Sequence, residues 1–399
     1  MNTLAIDQFI TQVQEQINRG DLAGAESMLR PHLASGTGPI PLWRLLVRAI
    51  RPQGKIGETR VIQEMLVNHS PADLATRFDL SETLLLLGEF DRGWKEYRYR
   101  YSLQHTKVIE RKVQMPRWNG NPIPGQTLFI HDEQGFGDTF QFVRLLRKAK
   151  ERSQARIIFE INSESASLIM RSFADVVDQF VVKGNLPPRF DLHCELMSLP
   201  HAFHLQLNDL PGPLHYLKPD PARVEKWAAR LNDLPKPWVA LCWAGRPTHF
   251  NDVNRSTHLN AYTSLLNIGA SFISIQKGPA TEQVKSLPTD WSFLNLEAEI
   301  QDFEDTAAIL SLVDVLVSVD SSPVHLAGAI GCPAWILLPF VPDWRWLINR
   351  GDTPWYPQHR LYRQPQIGNW DAVIQAIRND LLSVVKSSKM PNHEKSSVE

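Results

Sequence analysis

Cysteine is scarce: Cys194, Cys242 and Cys332 are the only three in 399 residues, far apart and inside apolar runs. That is too few and too scattered for a disulfide framework or a cysteine-based metal set, so they read as small buried residues of a reducing compartment. An excess of either charge is missing too. Lys plus Arg total 42 against 43 Asp plus Glu, with no basic block of five or more, which argues against a nucleic-acid binder. Long apolar runs are absent; Ala334–Leu338, near the C-terminus, is far too short to span a bilayer. The opening MNTLAIDQFITQ has neither a basic region nor an apolar one, so no signal peptide is expected. A cytoplasmic protein is the resulting expectation. Neither G-x-x-x-x-G-K-[ST] nor D-x-D occurs, which removes the P-loop and the obvious carboxylate pair for a metal on phosphates.

What is present begins with a repeat. GDLAGAESML from Gly20, GKIGETRVIQ from Gly54 and GEFDRGWKEY from Gly88 align, and their glycines fall 34 residues apart twice. That is the tetratricopeptide period, and Trp43, Leu46, Pro71, Leu80, Gly93 and Tyr97 fall at matching positions. Helical hairpins are expected over 5–107. They bury their apolar faces only by stacking, and a stack offers a surface for a protein or glycan partner.

From about residue 125 the pattern changes to apolar strand-like runs alternating with helical stretches. Runs at 126–132, 155–162, 176–182 and 190–197 form one set. Runs at 238–245, 270–278, 292–297, 313–319 and 334–340 form another, with helices expected at 138–150, 221–232, 302–312, 323–330 and 370–383. Such alternation implies parallel sheets covered on both faces. The expected fold class is α/β, with two facing Rossmann-like domains at 108–234 and 235–384 behind the all-α repeats and a disordered tail at 385–399. LNDLPKPW (231–238) reads as the hinge between halves. Ligands of such sheets sit at the carboxyl ends of the strands.

Those ends carry the chemistry. The first strand leads into HDEQGFGDTFQF, where Gly135 and Gly137 permit a tight turn and Asp138 opens a helix, as N-cap or as a general base. Phe140 stands where a dinucleotide fingerprint needs its third glycine. In the second half, WAGRPTHFNDVNRS brings Arg246, His249, Asn251 and Arg255, SIQKG brings Gln276 and Lys277, and VDSSPVH brings Asp320, Ser321, Ser322 and His325. Ser322 before Pro323 reads as the cap of a helix whose N–H groups face the site. Two or three cations around a helix N-terminus suit a diphosphate. His193, His201, His204 and His215 match no zinc spacing, so no metal is expected. Trp344, Trp346, Trp355 and Tyr356 read as core or as interface packing, with stacking on a ligand ring the alternative.

HDEQGFGDT, WAGRPTHFNDVNRS, SIQKG and SVDSSPVHLAGAIGCPAWILLPFVPDWRW together resemble bacterial tetratricopeptide-repeat proteins with a transferase domain similar to glycosyltransferase family 9, which includes the lipopolysaccharide heptosyltransferases. The resemblance spans about 75–380. It implies a GT-B fold and metal-independent, inverting transfer from a nucleotide-diphosphate sugar held mainly by the C-terminal half, with no other cofactor. Gly137-Asp138 takes the catalytic-base position, Asp320-Ser321-Ser322 with His325 resembles the donor motif D-T-G-x-x-H, and Arg255 takes the place of a phosphate-contacting residue. Ser322, where the family has glycine or alanine, departs from the pattern. The alternatives are an interaction scaffold with a non-catalytic transferase half and a dinucleotide oxidoreductase.

Overall fold

The computed structural model describes residues 3–102, 111–249, 251–288 and 291–389. Its first six helices are α1 (Thr3–Asn18), α2 (Leu22–Leu33), α3 (Ile40–Ile50), α4 (Ile56–His69), α5 (Leu74–Leu86) and α6 (Phe90–Tyr97). They run as three hairpins. Gly20, Gly54 and Gly88, one in each hairpin turn, lie at φ +83°, +79° and +81°. Glycine alone enters that left-handed region without strain, so the 34-residue period is the period of these turns. Val13, Leu29, Leu42, Leu46, Ile50 and Leu66 build the core. Two later segments, 204–208 and 340–349, complete this first compact unit. Within it Trp344 stands edge-on to Trp94 at 5.2 Å and to Tyr97 at 6.0 Å.

The second unit comprises 111–203, 209–339 and 350 onward, so both expected Rossmann-like halves fall in one compact body. The expected boundary at 107/108 lies outside the described residues. The first half carries β1 (Thr127–His131), α7 (Phe136–Phe142), α8 (Leu146–Ser153), β2 (Arg156–Ile161), α9 (Ser163–Phe173), β3 (Gln179–Val182) and β4 (Leu192–Glu195). After α10 (Pro221–Leu231) the second half carries β5 (Trp238–Cys242), β6 (Ser271–Ser274), β7 (Phe293–Asn295), α11 (Phe303–Leu310), β8 (Val315–Val319), α12 (Ser322–Ile330), β9 (Ala334–Leu338), β10 (Arg360–Arg363) and α13 (Trp370–Lys389).

Both sheets are parallel, in the orders β3-β2-β1-β4 and β10-β9-β8-β5-β6-β7. Counted within its own half, the second is 3-2-1-4-5-6 and the first its opening 3-2-1-4, the doubly wound arrangement. β5, β8 and β9 are buried along their whole length, as continuous apolar runs require when helices cover both faces. Strand order reverses between β1 and β4 and between β5 and β8. These are the points where such sheets open a crevice.

Three expectations need correction. The helix expected at 138–150 is two helices broken by a 3-10 turn at 143–145. β10 was not foreseen, because an edge strand reading Arg-Leu-Tyr-Arg buries only Leu361 fully. The tail was expected from 385, but α13 continues through it to Lys389, since Val385 continues the apolar face of Ile374, Ile377 and Leu381 against the second sheet. Residues 390–399 lie outside the described residues. Among the described residues no helix is long and apolar enough to cross a membrane.

Candidate functional site

Two helix N-termini meet where the halves face each other. α7 starts at Phe136, with Gly135 as its N-cap. Asp138 is therefore not the cap but the third helical residue, and its Oδ2 accepts the Gly135 N–H at 3.0 Å. α12 starts at Ser322, so the N-cap is Ser321, not Ser322. The Ser321 hydroxyl does not cap. It donates to the Val319 carbonyl at 3.2 Å and lies 3.4 Å from the Ser318 hydroxyl, leaving the first turn of α12 without a side-chain cap. α7 and α12 touch at Gly137: a Cβ there would lie 2.9 Å from His325 Cδ2 and 3.5 Å from Ser322 Cα. Gly137 thus owes its place to close approach, with no positive φ involved.

His325 is buried and held through Nδ1, 3.1 Å from the Tyr356 hydroxyl. Tyr356 in turn packs on Gly328 and lies under the Arg144 guanidinium. Arg144, itself buried, donates to the carbonyls of Gln141, Pro211 and Trp355 and to the Tyr216 hydroxyl, tying the end of α7 to the chain around Trp355. Trp344, Trp346, Trp355 and Tyr356 are all buried, which settles them as core side chains.

Of the expected cations, Arg255 reaches the junction. Its Nη1 donates to the Asp320 carbonyl at 2.9 Å and its Nε to Asp252 at 3.2 Å. Nη2 makes no hydrogen bond among the described residues, and Gly245 lets the loop after β5 close over it. Asp320 is buried at the end of β8. Gln276 and Lys277 spend their side chains mainly on backbone groups, although Gln276 Oε1 also accepts from Cys242 Sγ, which lies 3.8 Å from the Ser321 hydroxyl. Gln276 is buried and ties the loop after β5: Oε1 accepts from Trp243 and Ala244 N–H, and Nε2 donates to the carbonyls of Ala244 and Lys277. Lys277 Nζ donates to the carbonyls of Glu297 at 2.6 Å and Ile300 at 3.0 Å, on the β7–α11 side. Arg246 and His249 are exposed.

Asp132 was not singled out in the sequence, yet it is buried at the carboxyl end of β1. Its Oδ2 accepts from the Thr139 hydroxyl at 2.8 Å and from Asn162 at 2.7 Å. Burial pushes its carboxyl up to about 6; Asp138 adds to this, while Thr139, Lys183 and Asn162 oppose it. Its position, the last residue of the strand expected at 126–132, was the available signal. Through Thr139 it orients the helix that carries Asp138.

On the adjoining sheet face His131, His193 and Glu195 cluster, all buried. His131 Nε2 lies 3.3 Å from His193 Nδ1, and Arg117 donates two hydrogen bonds to Glu195. Burial lowers the His193 pKa, with Arg117 and Arg111 acting the same way and Glu195 opposing.

No family model matches the chain. It is 26% identical over 335 residues to Protein FlbA of Caulobacter vibrioides, covering 78% of this chain and 56% of FlbA, so it spans little more than half of that relative. Among solved structures it is similar to an E. coli ADP-heptose LPS heptosyltransferase II (15% identity, 66% of this chain, 100% of that one, TM-score 0.49). A glycosyl transferase family 9 structure from Veillonella parvula gives 10% identity, 67% of this chain, 97% of that one and TM-score 0.46. A Thermobaculum terrenum O-GlcNAc transferase mutant aligns with 97% of this chain and 93% of its own at 11% identity and TM-score 0.33.

Proposed function

We propose that the chain is an inverting glycosyltransferase that uses a nucleotide-diphosphate sugar without a metal on the phosphates, and that its helical hairpins are tetratricopeptide-type repeats. The observation that carries this reading is the meeting of α7 and α12 at Gly137, with Arg255 fastened to Asp320 beside the uncapped start of α12. An uncapped helix start beside a guanidinium is chemistry suited to a diphosphate.

In this reading the Arg255 Nη2 and the first turn of α12 bind the departing diphosphate and offset the charge it gains as the anomeric C–O bond breaks. Asp138 accepts the proton of the acceptor hydroxyl as that oxygen forms the new bond. Asp138 Oδ2 also accepts the Gly135 N–H, which fixes the carboxylate at the start of α7. Asp320, Ser321, Ser322 and His325 orient the donor, and His325 is held in place by Tyr356. Gln276 and Lys277 act only through the loops they bind.

Asp138→Asn tests the assignment cleanly, because asparagine keeps an oxygen for the Gly135 N–H but cannot take the proton. Nucleoside diphosphate release is measured from a panel of nucleotide sugars, alone and with hydroxyl acceptors. A positioned base is worth about 10²–10⁴-fold in rate, so the variant should lose at least about 10²-fold while still binding donor. Turnover near the wild-type rate would remove Asp138 from the mechanism.

A further inference from the structure

The first sheet holds a second group of chemistry-bearing residues that the transfer reaction leaves unused. β1 and β4 are neighbours at the point where strand order reverses, with His131 aligned to Glu195 and Phe129 to His193. Alternate residues share a face, so His131, His193 and Glu195 project to the same side. On β2, Glu160 aligns with His131 and joins that face.

All four are nearly sealed from solvent, at 2%, 4%, 2% and 0% exposure in the order His131, His193, Glu195, Glu160. One donor atom from each of the first three lies within 4.8 Å of the others. The nitrogen pair, His131 Nε2 and His193 Nδ1, is 3.3 Å apart. With Zn–N bonds of about 2.0–2.1 Å, two nitrogens of a tetrahedral zinc site stand about 3.3–3.4 Å from each other. The spacing therefore matches one edge of that polyhedron.

The surroundings are those of a fixed site. His193 donates its N–H to the Pro116 carbonyl at 3.1 Å and accepts the Trp118 N–H at 2.7 Å through its own carbonyl, so its backbone is clamped on both sides. Arg117 holds Glu195 through both oxygens, as the carboxylate of a metal site is commonly held by an outer hydrogen bond. Glu160 Oε1 accepts from Arg111 at 2.7 Å, whereas its buried Oε2 has no hydrogen-bond partner among the described residues. A buried, unpartnered carboxylate oxygen is costly unless a cation or donor comes near it.

We propose that His131, His193 and Glu195 bind a divalent transition-metal ion of the zinc class, which cross-links β1 to β4 just before the loop that leads to Asp138. Two imidazoles and a carboxylate are a donor set suited to such an ion. The ion is structural and separate from the diphosphate, so this proposal stands or falls independently of the transferase reading. No spacing rule could reveal it, because 62 residues of chain separate the two histidines.

The test uses full-length protein expressed in zinc-supplemented medium, with metal content measured by mass spectrometry. After chelation, Zn²⁺ and Co²⁺ are titrated back while the melting temperature and the visible Co²⁺ spectrum are followed. The proposal expects a single ion per chain, lower melting after chelation, recovery on adding Zn²⁺, and the absorption of low-symmetry Co²⁺. His131→Ala and His193→Ala should lose the ion, whereas replacing the exposed His249 should not. Wild-type protein that carries no metal and shows neither a melting shift nor a Co²⁺ spectrum would overturn the proposal, whatever the variants do. The cluster would then be a hydrogen-bonded ion-pair network.

Discussion

Gly137→Ala probes the contact on which the site depends. The added methyl would stand 2.9 Å from His325 Cδ2, whereas carbon atoms pack comfortably at about 3.5–4.0 Å. The imidazole cannot step back freely. It is buried, its Nδ1 is held by Tyr356, and Tyr356 is packed so closely on Gly328 that a Cβ there would fall 2.2 Å from its ring. The start of α12 therefore has to move, and overpacking of this kind costs about 1–3 kcal/mol. At about 2–4 °C per kcal/mol for a domain of this order, the melting point should fall by a few degrees, up to about 10 °C. Gly57→Ala is the matched control. It lies in the first turn of α4, nothing stands within 4 Å of the new methyl, and alanine is favoured over glycine in a helix by up to about 1 kcal/mol. The same chemical change should thus lower the melting point at one glycine and leave or raise it at the other. Calorimetry of both variants decides. A Gly137→Ala protein that melts at or above the wild-type temperature would refute the described packing of α7 on α12.

Arg144→Met leaves the carbonyls of Gln141, Pro211 and Trp355 and the Tyr216 hydroxyl without their donor. Urea unfolding should show a loss of about 3–5 kcal/mol, and a loss below about 1 kcal/mol would mean the guanidinium holds little together. In the helical unit, burial pushes Glu82 up to about 7, with Asp343 and Asp79 adding to the shift and Arg51 and Arg345 opposing it. The native state then binds a proton that the unfolded chain releases near the ordinary glutamate value, so stability is greatest at acid pH and falls as pH rises to about 7. Glu82→Gln should flatten that slope and raise the melting point at pH 8, as melting curves from pH 5 to 8 would show; an unchanged slope counts against it.

Much of the scaffold was legible because the apolar runs are unambiguous: Val315–Val319 and Ala334–Leu338 are buried throughout and read as strands at sight. The 34-residue glycine spacing was legible because each glycine meets a backbone demand that other residues cannot meet. Side-chain destinations were not. Lys277 sits at a strand end like Arg255, but it follows the chain toward carbonyls supplied by the β7–α11 loop, and nothing in SIQKG announces those acceptors. Gln276 is likewise spent on a loop more than thirty residues away. Asp138 and Ser322 were each misplaced relative to their helix starts, since a cap depends on which hydroxyl or carboxylate turns back. The His131–His193–Glu195 cluster arises only from strand order.

The most direct test of the nucleotide-sugar reading is a thermal-shift panel with UDP, GDP, ADP, CDP and dTDP, without added metal, on wild type, Arg255→Ala and Lys277→Ala. One diphosphate should raise the midpoint of wild type and of Lys277→Ala, with a stabilisation of about 2.7 kcal/mol at a hundredfold excess over Kd, and leave Arg255→Ala unmoved. No shift with any diphosphate, or a shift that survives in Arg255→Ala, would contradict the account and favour a repeat scaffold whose transferase half is silent.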